Sequence, residues 1–440
     1  MKATNRANLP FLPIAASTLL LPAFAVAQEP QAAPTGTTIV IPGVERLKIG
    51  GEYRIRYEGL FDYDFDHSAA SAASNDYFTQ RVRLDFDLDF GEKVDGFIQI
   101  QDAREWGEEA STIDDAADGL DLHQGYVDLH EVLGGTARIG RQEINLGDQR
   151  LVGALDWKSQ ARALDGVHQS WTCDKGCSTH VWFVQARELI NTINDDARFV
   201  GIQHSPVFGE GWTNDFYLMY LQDDGTTVGG TQNRFTLGTR AIWKADKSLE
   251  FGLEAATQFG DLAGNDIKIG KTYAAHVHGQ YMFEGDMHPK LTLACDVASG
   301  DDPSTADVER FNNLFPTAHA HWGMMDLALW ENLFNPWLRF ALEPNEVSTL
   351  SATVLHFAAM EAADAFGGPN GQLSPGNAAF SKDMGNEIDL LYTRRLDLAK
   401  NVKTAVQVGY GLFLPGDGVK DAKGTDDMAH FLYAQFDLRF

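Results

Sequence analysis

The chain has 440 residues and a formal net charge of −27, from 35 Lys and Arg against 62 Asp and Glu. Binding to nucleic-acid phosphates depends on clustered Lys and Arg. No stretch of this chain forms such a basic patch, which excludes a nucleic-acid partner.

The first residues have the pattern of a secretory signal peptide. Lys2 and Arg6 precede the apolar stretch Leu9–Leu21, and Ala25–Ala27 has the small-x-small pattern of a cleavage site. We therefore predict a signal peptide over 1–27 and a mature start near Gln28. A buried N-terminal helix is the alternative interpretation.

No other segment has 18 or more consecutive apolar residues, the length of a membrane-spanning helix. An exported protein without such a helix is either soluble outside the inner membrane or a closed β-barrel. Barrels escape hydropathy searches because only alternate residues of each strand face lipid.

A Pro/Ala/Thr-rich periplasmic leader is predicted over 28–44, and strand-like alternation begins after it. In Leu47–Glu58 and Arg81–Phe90, apolar residues alternate with charged ones. With these two there are 18 such runs; the others lie near Val94–Gln101, Leu122–His130, Thr136–Gln142, Leu164–Trp171, Thr179–Arg187, Arg198–His204, Asn214–Leu221, Asn233–Trp243, Ser248–Phe259, Lys271–Phe283, Lys290–Ala298, Trp337–Leu342, Thr349–Phe357, Asn386–Leu396, Lys403–Leu412 and His430–Phe440.

The connections between these runs alternate between long and short. Glu143–Ala163 and Ser299–Pro336, the third and the seventh long connections, contrast with short turns such as Gly91–Lys93. Outer-membrane barrels have long extracellular loops and short periplasmic turns, and the aromatic last residue Phe440 agrees with that class. We predict an all-β fold, a closed antiparallel transmembrane barrel of about 18 strands over residues 45–440. A soluble secreted all-β protein is the alternative.

The sequence contains three cysteines, and whether they pair depends on the redox state of the compartment. Cys173 and Cys177 are four residues apart in a short turn, so in an oxidising compartment they can form a disulfide. Two free thiols remain the alternative. Cys295 is in phase with apolar neighbours and is interpreted as a small residue on an apolar face.

Signatures of enzymes are missing from the sequence. There is no GxSxG, HExxH, P-loop or CxxC pattern. A hydrolase built into a barrel would need a base beside its nucleophile, and no spacing here indicates one. We therefore expect no catalytic residues.

Two regions carry an ordered set of motifs that resembles the alginate export porin family. They are GRQ at Gly140–Gln142, GDQRLVG at Gly147–Gly153, Trp157, Arg162, Asp165–Val167, ASGDDP at Ala298–Pro303 and NLFPTAHAHWGMMD at Asn313–Asp326. The resemblance implies an 18-stranded barrel in the bacterial outer membrane, surrounded by its lipid. It also implies an arginine-lined constriction that passes an anionic uronate polymer such as alginate outwards, with periplasmic secretion components as partners.

Arginines are the candidate substrate path because a guanidinium matches a carboxylate with a rigid fork of donors and stays charged. The first candidates are Arg141, Arg150 and Arg162 around the third long loop, with Asp165. The inward positions of the first two strands add Arg54, Arg56, Arg81 and Arg83, and Arg138, Arg240 and Arg394 are further candidates. Acidic residues on the same faces would keep a bound carboxylate from being held too tightly to leave. The alternative is that these residues form salt-bridge ladders that only stabilise the wall.

No cofactor or metal is expected as a resident group. Asp296, Asp301 and Asp302 could bind Ca²⁺ through carboxylates, although they lack the spacing of an EF-hand. His319 and His321 could share a metal, but a structural or pore-facing role is favoured.

The second long loop is strongly acidic, with Glu105, Glu108, Glu109, Asp114, Asp115, Asp118 and Asp121. That charge would repel polyanions arriving from outside, so it fits outward passage better than uptake. It also fits binding of divalent cations, or a neutral or cationic substrate. The sequence therefore leaves three functions open: a polysaccharide channel gated by its long loops, a porin for small sugars or other solutes, and a non-conducting adhesion scaffold.

Overall fold

The computed structural model of the chain describes residues 39–41, 43–67, 74–107, 120–187, 196–224, 231–262 and 267–440. The predicted signal peptide, most of the predicted leader and the acidic residues 108–118 lie outside these ranges.

Strands dominate the described chain. They are β1 (Ile39–Ile41), β2 (Val44–Phe61), β3 (Asn75–Asp89), β4 (Val94–Glu105), β5 (Asp121–Val132), β6 (Gly135–Gln142), β7 (Leu164–Thr172), β8 (Ser178–Arg187), β9 (Ala197–Ser205), β10 (Trp212–Asp223), β11 (Gln232–Lys244), β12 (Leu249–Leu262), β13 (Ile267–Met282), β14 (Lys290–Ala298), β15 (Leu333–Asn345), β16 (Ser348–Ala359), β17 (Phe366–Gly368), β18 (Gly371–Ser374), β19 (Asp383–Leu396), β20 (Lys403–Pro415) and β21 (Ala429–Arg439). A 3-10 turn at Ala318–Ala320 and the helix α1 (Asp417–Lys423) complete the elements. No helix in the described ranges is long and apolar enough to cross a membrane.

Eighteen of these strands form one closed barrel. From β2 to β16 and from β19 to β21, each strand pairs antiparallel with the next, and β21 returns to β2 with Leu438 opposite Tyr53. The short β1 adds a small hairpin to β2, while β17 and β18 pair with each other inside the eighth long loop. The predicted closed antiparallel barrel of about 18 strands is confirmed.

The outer face of the wall shows where its apolar band ends. Ladder partners on seven neighbouring strands, β6 to β12, form an apolar row of Ile139, Val167, Phe183, Val200, Tyr220, Phe235 and Phe259. The next outward row toward the long loops is polar and consists of Arg141, Asp165, Gln185, Arg198, Gln222, Asn233 and Asp261. Outward side chains contact lipid, so the boundary between these rows marks the extracellular edge of the hydrocarbon.

Long loops pack into the lumen on the extracellular side. Phe311, Trp322 and Trp330 of the seventh loop are fully buried and belong to one apolar cluster with inward wall residues such as Phe357 and Phe413. A barrel of this strand number is too wide for wall side chains alone to fill. The loops therefore supply the apolar surface that closes this end.

The third and seventh loops are joined by their backbones. Val152 and Phe315 form a parallel bridge, flanked by N–H donation from Gly153 to the Phe315 carbonyl and from Phe315 to the Leu151 carbonyl, both at 2.9 Å. Thr317 donates its N–H to the Gln149 carbonyl, also at 2.9 Å. These bonds satisfy polar backbone groups that would otherwise be buried without partners.

The short turn between β7 and β8 carries the two neighbouring cysteines. Cys173 and Cys177 are joined by a disulfide in the structure. Cys295 is a free thiol on β14, at the outward parity of Leu293. Outward parity agrees with its interpretation as a small residue on an apolar face.

Candidate functional site

One side of the lumen is lined by the arginine wall, defined as Arg54 and Arg56 of β2 with Arg81 and Arg83 of β3. Strand alternation turns these residues inward, and each is no more than 4% exposed. Arg54 and Arg81 face each other across the ladder between the two strands. Two buried arginines in register repel each other unless carboxylates lie between them.

Carboxylates of the wall itself pair with three of these arginines: Asp437 with Arg54, Glu58 with Arg56 and Glu52 with Arg81. A further carboxylate comes from the third loop. Asp156 Oδ2 lies 2.7 Å from Nη2 of Arg54, and its Oδ1 lies 2.8 Å from Nη2 of Arg81 and 3.6 Å from Nη1 of Arg83. Burial opposes the charge of Asp156, but the three arginines outweigh that effect and hold its pKa well below the usual value. Asp156 therefore stays charged and ties the loop to the wall.

The next residue of the loop is held by stacking. The guanidinium of Arg56 lies 3.6 Å from the ring centre of Trp157, and the ring of His319 stacks against the same indole at 3.5 Å. Arg56 also donates to the Trp157 carbonyl at 2.9 Å. His319 is oriented by Asp326, whose Oδ2 lies 3.0 Å from its Nδ1. Trp157 thus joins the arginine wall to the seventh loop.

The opposite side of the lumen carries a mixed-charge row on six neighbouring strands. Its members are successive ladder partners that all face inward, namely Asp215, Arg240, Glu254, His276, Asp296 and Asn335. Opposite charges on neighbouring strands neutralise each other, as in the 3.0 Å pair between Arg240 and Asp215.

Arg150 anchors the third loop to this row. Its guanidinium lies 2.7 Å from Asp296, 3.0 Å from Asp148 and 3.2 Å from Nε2 of His276. From the seventh loop, His321 bonds through Nε2 to the Asp148 carbonyl at 2.9 Å. The third loop therefore crosses the lumen, with Asp156 held by cations on one wall and Arg150 by an anion on the other.

A cavity of about 600 Å³, counting its space open to solvent, remains beside the mixed-charge row. Its lining includes Arg240, Glu254, His276, His278, Trp337 and Arg339. Arg339 donates Nε to Thr353 Oγ1 at 2.9 Å, and none of the described carboxylates lies within 4.0 Å of its guanidinium. The cavity thus presents an arginine without an ion-pair partner.

The placement of Arg141 and Asp165 corrects part of the predicted substrate path. They form a 2.8 Å ion pair, but both belong to the polar outward row and share the parity of Ile139 and Val167. Their strands run through this region without a register shift, so neither side chain enters the lumen. Arg394 likewise shares the outward parity of Leu390.

Two other candidate arginines, Arg162 and Arg138, lie outside the arginine wall. Arg162 donates Nη1 to the carbonyls of Gly153 and Phe315, at 2.9 and 2.5 Å, and burial lowers its pKa to about 10. It therefore braces the joint between the two loops. Arg138 faces the lumen and is engaged by Asp128 at 2.8 Å.

The proposed ligands of a metal have other partners. Asp296 accepts from Arg150 and Trp337, Asp301 from the N–H of Glu309, and Asp302 from the N–H of Ser304. Within the described ranges, no group of three or more His, Cys, Asp or Glu could hold an ion. His319 and His321 contact different residues, Asp326 and Asp148.

Sequence reasoning missed three residues of this site, namely Asp156 as the counter-ion of the arginine wall, and Trp337 with Arg339. Asp156 and Arg54 are 102 positions apart, and no local pattern connects them. Trp337 and Arg339 lie two apart in the short predicted run Trp337–Leu342, directly after Pro336, and their shared parity was a usable signal.

Solved structures of similar fold are porins. The chain has TM-scores of 0.60 to OpdO and 0.59 to OccK5 (OpdH), both from Pseudomonas aeruginosa, each at 12% identity over 90% of this chain and 97% and 99% of theirs. A BenF-like porin from Pseudomonas fluorescens Pf-5 has a TM-score of 0.59 at 10% identity, over 90% of this chain and all of that one. At such identities the likeness shows the fold alone. No curated protein sequence matches the chain.

The family is shown by a different comparison. The family model described as "Alginate export" matches residues 45–432, nearly the whole barrel. Together with the porin-like closed barrel, this match places the protein in the bacterial outer membrane, where lipid surrounds its wall and a substrate crosses it. The chain therefore belongs to the alginate export family of outer-membrane β-barrels.

Proposed function

We propose that the protein is a channel for an acidic polysaccharide, such as a uronate polymer, and that its third and seventh loops gate the lumen. The observation that carries the proposal is the carboxylate of Asp156 among Arg54, Arg81 and Arg83. A wall that binds the carboxylate of its own loop has the chemistry to bind the carboxylates of a sugar acid.

Gating follows from how the loops fill the lumen. The apolar cluster around Trp322 and Trp330 packs the seventh loop against the wall, with both indoles fully buried. Passage therefore requires the third and seventh loops to move. The contacts of Arg150 and Asp156 with the walls are ionic, so a charged polymer can exchange with them one contact at a time.

A second function is favoured by the same packing. A barrel whose loops form a stable apolar core in the lumen could serve as a non-conducting scaffold at the cell surface. Ion conductance separates the two functions, because a scaffold of this kind passes no current. A porin for small solutes is distinguished from a polysaccharide channel by how block of the current depends on the length of the added uronate. In such a porin, uronate monomers and oligomers would block equally.

The test compares an inward arginine with an outward one in planar-bilayer recordings. We expect the full-length protein to conduct and uronate oligomers to block the current. Arg81→Lys keeps the charge but loses the fork that binds two acceptors, so it should weaken block several-fold. Arg141→Lys changes an outer-face residue and should leave block unchanged. Equal effects of the two variants would refute the path along the arginine wall.

A further inference from the structure

We infer that the cavity beside the mixed-charge row is a binding subsite for one acidic sugar residue. In this subsite the indole of Trp337 supports the face of the sugar ring and the guanidinium of Arg339 binds its carboxylate. The class of substrate rests on the proposed function. The residues that would bind the sugar lie on the side of the lumen opposite the arginine wall.

The subsite lies closer to the periplasm than Arg150, the residue that anchors the third loop to the mixed-charge row. On β15 the inward residues run Asn335, Trp337 and Arg339 from the seventh loop toward the short turn after Asn345. Arg150 is bound at the level of Asn335, through Asp296, its partner in the ladder. A molecule that enters from the periplasm therefore reaches Arg339 and Trp337 before it reaches the loop.

Arg339 is the cavity arginine whose charge is least satisfied. Arg150 and Arg240, which line the same cavity, have carboxylates at 2.7 and 3.0 Å. Arg339 has Thr353 as its hydrogen-bond acceptor in the described chain, and Asp389 acts on it from beyond ion-pair distance. A guanidinium has five N–H donors, so most of its capacity remains for a ligand.

Trp337 is positioned as an aromatic support. Its Nε1–H donates to Asp296 Oδ2 at 2.9 Å, which fixes the edge of the indole. The guanidinium carbon of Arg339 lies over the indole, 5.2 Å from the ring centre, so the cation and the aromatic ring are in contact. A sugar acid has an apolar C–H face and a carboxylate at its edge, which match these two groups.

The remaining lining suits the hydroxyls of a sugar. Gln280 and Thr292 lie in the same ladder row as Arg339 and present an amide and a hydroxyl, which are 3.3 Å apart. Small-molecule sites typically have apolar and aromatic walls with a few placed polar groups. The cavity has this composition, whereas a site for a bare inorganic anion would need no aromatic face.

The test is calorimetric titration of the full-length protein in detergent micelles with a uronate trisaccharide and with a neutral trisaccharide. Arg339→Gln should lower uronate affinity about tenfold or more, the scale of one charge-assisted contact, and leave neutral binding unchanged. Trp337→Leu should weaken both sugars. Arg138→Gln is the matched control, since Arg138 also faces the lumen but is paired with Asp128; it should change neither.

Uronate binding that is unchanged by Arg339→Gln, or reduced equally by Arg138→Gln, would overturn the inference, as would a wild-type protein that binds no uronate. If Arg339→Gln fails to fold, as judged on unheated gels, Arg339→Lys replaces it with an expected loss of several-fold. Conductance of the same samples tests the channel separately. If uronate binds through Arg339 but no current flows, the channel is refuted and the subsite stands. If uronate blocks the current and Arg339→Gln does not change that block, the subsite is refuted and the channel stands.

Discussion

The carboxylate of Asp156 lies among arginines that would repel one another without it. Arg81 retains a second partner, because its Nη2 also lies 2.5 Å from Glu52. Arg83 donates Nε to Gln101 at 2.7 Å, and its ion-pair contacts with Glu143 and Asp156 are longer, at 3.6 Å. The arginines are buried while Asp156 is partly exposed. Removal of the Asp156 carboxylate should therefore cost more stability than removal of a carboxylate from a surface ion pair.

We predict that Asp156→Asn releases the third loop from the arginine wall. Loss of the carboxylate should destabilise the packed loop by roughly 1–3 kcal/mol, because the buried arginines lose the counter-ion that the loop supplies. Faster trypsin cleavage after Lys158 and a larger single-channel current would report the change. Asp165→Asn, which removes a carboxylate of the outer face, should alter neither; the prediction fails if both variants behave alike.

Acid should loosen the seventh loop through His321. Burial, with Arg150 nearby, lowers the pKa of His321 from 6.5 to about 3. The released loop takes up a proton below pH 6.5 while the packed loop does not, so packing loses stability as pH falls from 6.5 toward 3. Asp148, His276 and Asp296 also face this ring. The ordinary pKa of Asp148 is 3.8, and packing lowers this pKa further. Protonation of Asp148 therefore reduces the stability of the packed loop only below about pH 4.

Hydrogen exchange of the segment 313–326 at pH 7.5 and 4.5 measures this effect. Intrinsic amide exchange is itself slower in acid, so the comparison uses protection factors corrected for the intrinsic rates. The wild type should have lower protection factors in this segment at the lower pH. His321→Gln keeps a donor for the Asp148 carbonyl and cannot titrate, so the difference should shrink. His204→Gln, on the outer face, should leave it intact. A pH difference of unchanged size in His321→Gln would contradict the assignment.

Side-chain direction was only partly predictable from the sequence. The alternation of β2 and β3 correctly predicted that Arg54, Arg56, Arg81 and Arg83 face inward. Arg141 was placed wrongly because its motif was weighted above its parity with Ile139, two residues earlier on the same strand. The partner of the arginine wall could not be predicted, since Asp156 reaches it only through the path of a long loop.

At the scale of elements, the third and seventh loops behave as one unit in the structure. Besides the backbone bridge, the hydroxyl of Thr317 donates to Gln149 Oε1 at 2.8 Å and accepts from the N–H of Leu155 at 3.2 Å. Arg162 bonds to carbonyls of both loops. A movement of one loop therefore disturbs the other.

We expect Thr317→Val to loosen both loops together. Valine has the same shape but leaves the part-buried N–H of Leu155 without its acceptor, a cost of about 1 kcal/mol. Hydrogen exchange should rise in the segments 149–155 and 313–320 while the wall strands stay protected. Faster exchange confined to 313–320 would show that the loops move independently.

The sequence indicated which two loops carry the site but not how they pack. Their motifs and lengths distinguished them from the other connections. The parallel bridge between Val152 and Phe315 depends on backbone paths through the lumen, which no alternation encodes. The apolar side chains of the seventh loop, such as Trp322 and Trp330, were a signal for lumen packing, because a loop exposed to water rarely carries so many.

For the whole molecule, the barrel could be predicted because its physical constraints repeat along the chain. Every strand must alternate between lipid and lumen, and every second connection must be short. The two-residue period survives even in the weak run around Trp337, whose strand extends over Leu333–Asn345. The state of the lumen was not predictable, since it depends on contacts between loops and walls distant in sequence.

The central claim is that this barrel conducts and that sugar acids enter its lumen. The most direct measurement is the current through single full-length molecules in a planar bilayer, with uronate oligomers added to the periplasmic side. We predict brief openings that uronate oligomers block, more strongly as their length increases, while neutral oligomers of equal length block weakly. The absence of any current, or block of equal strength by neutral and acidic oligomers, would contradict the claim.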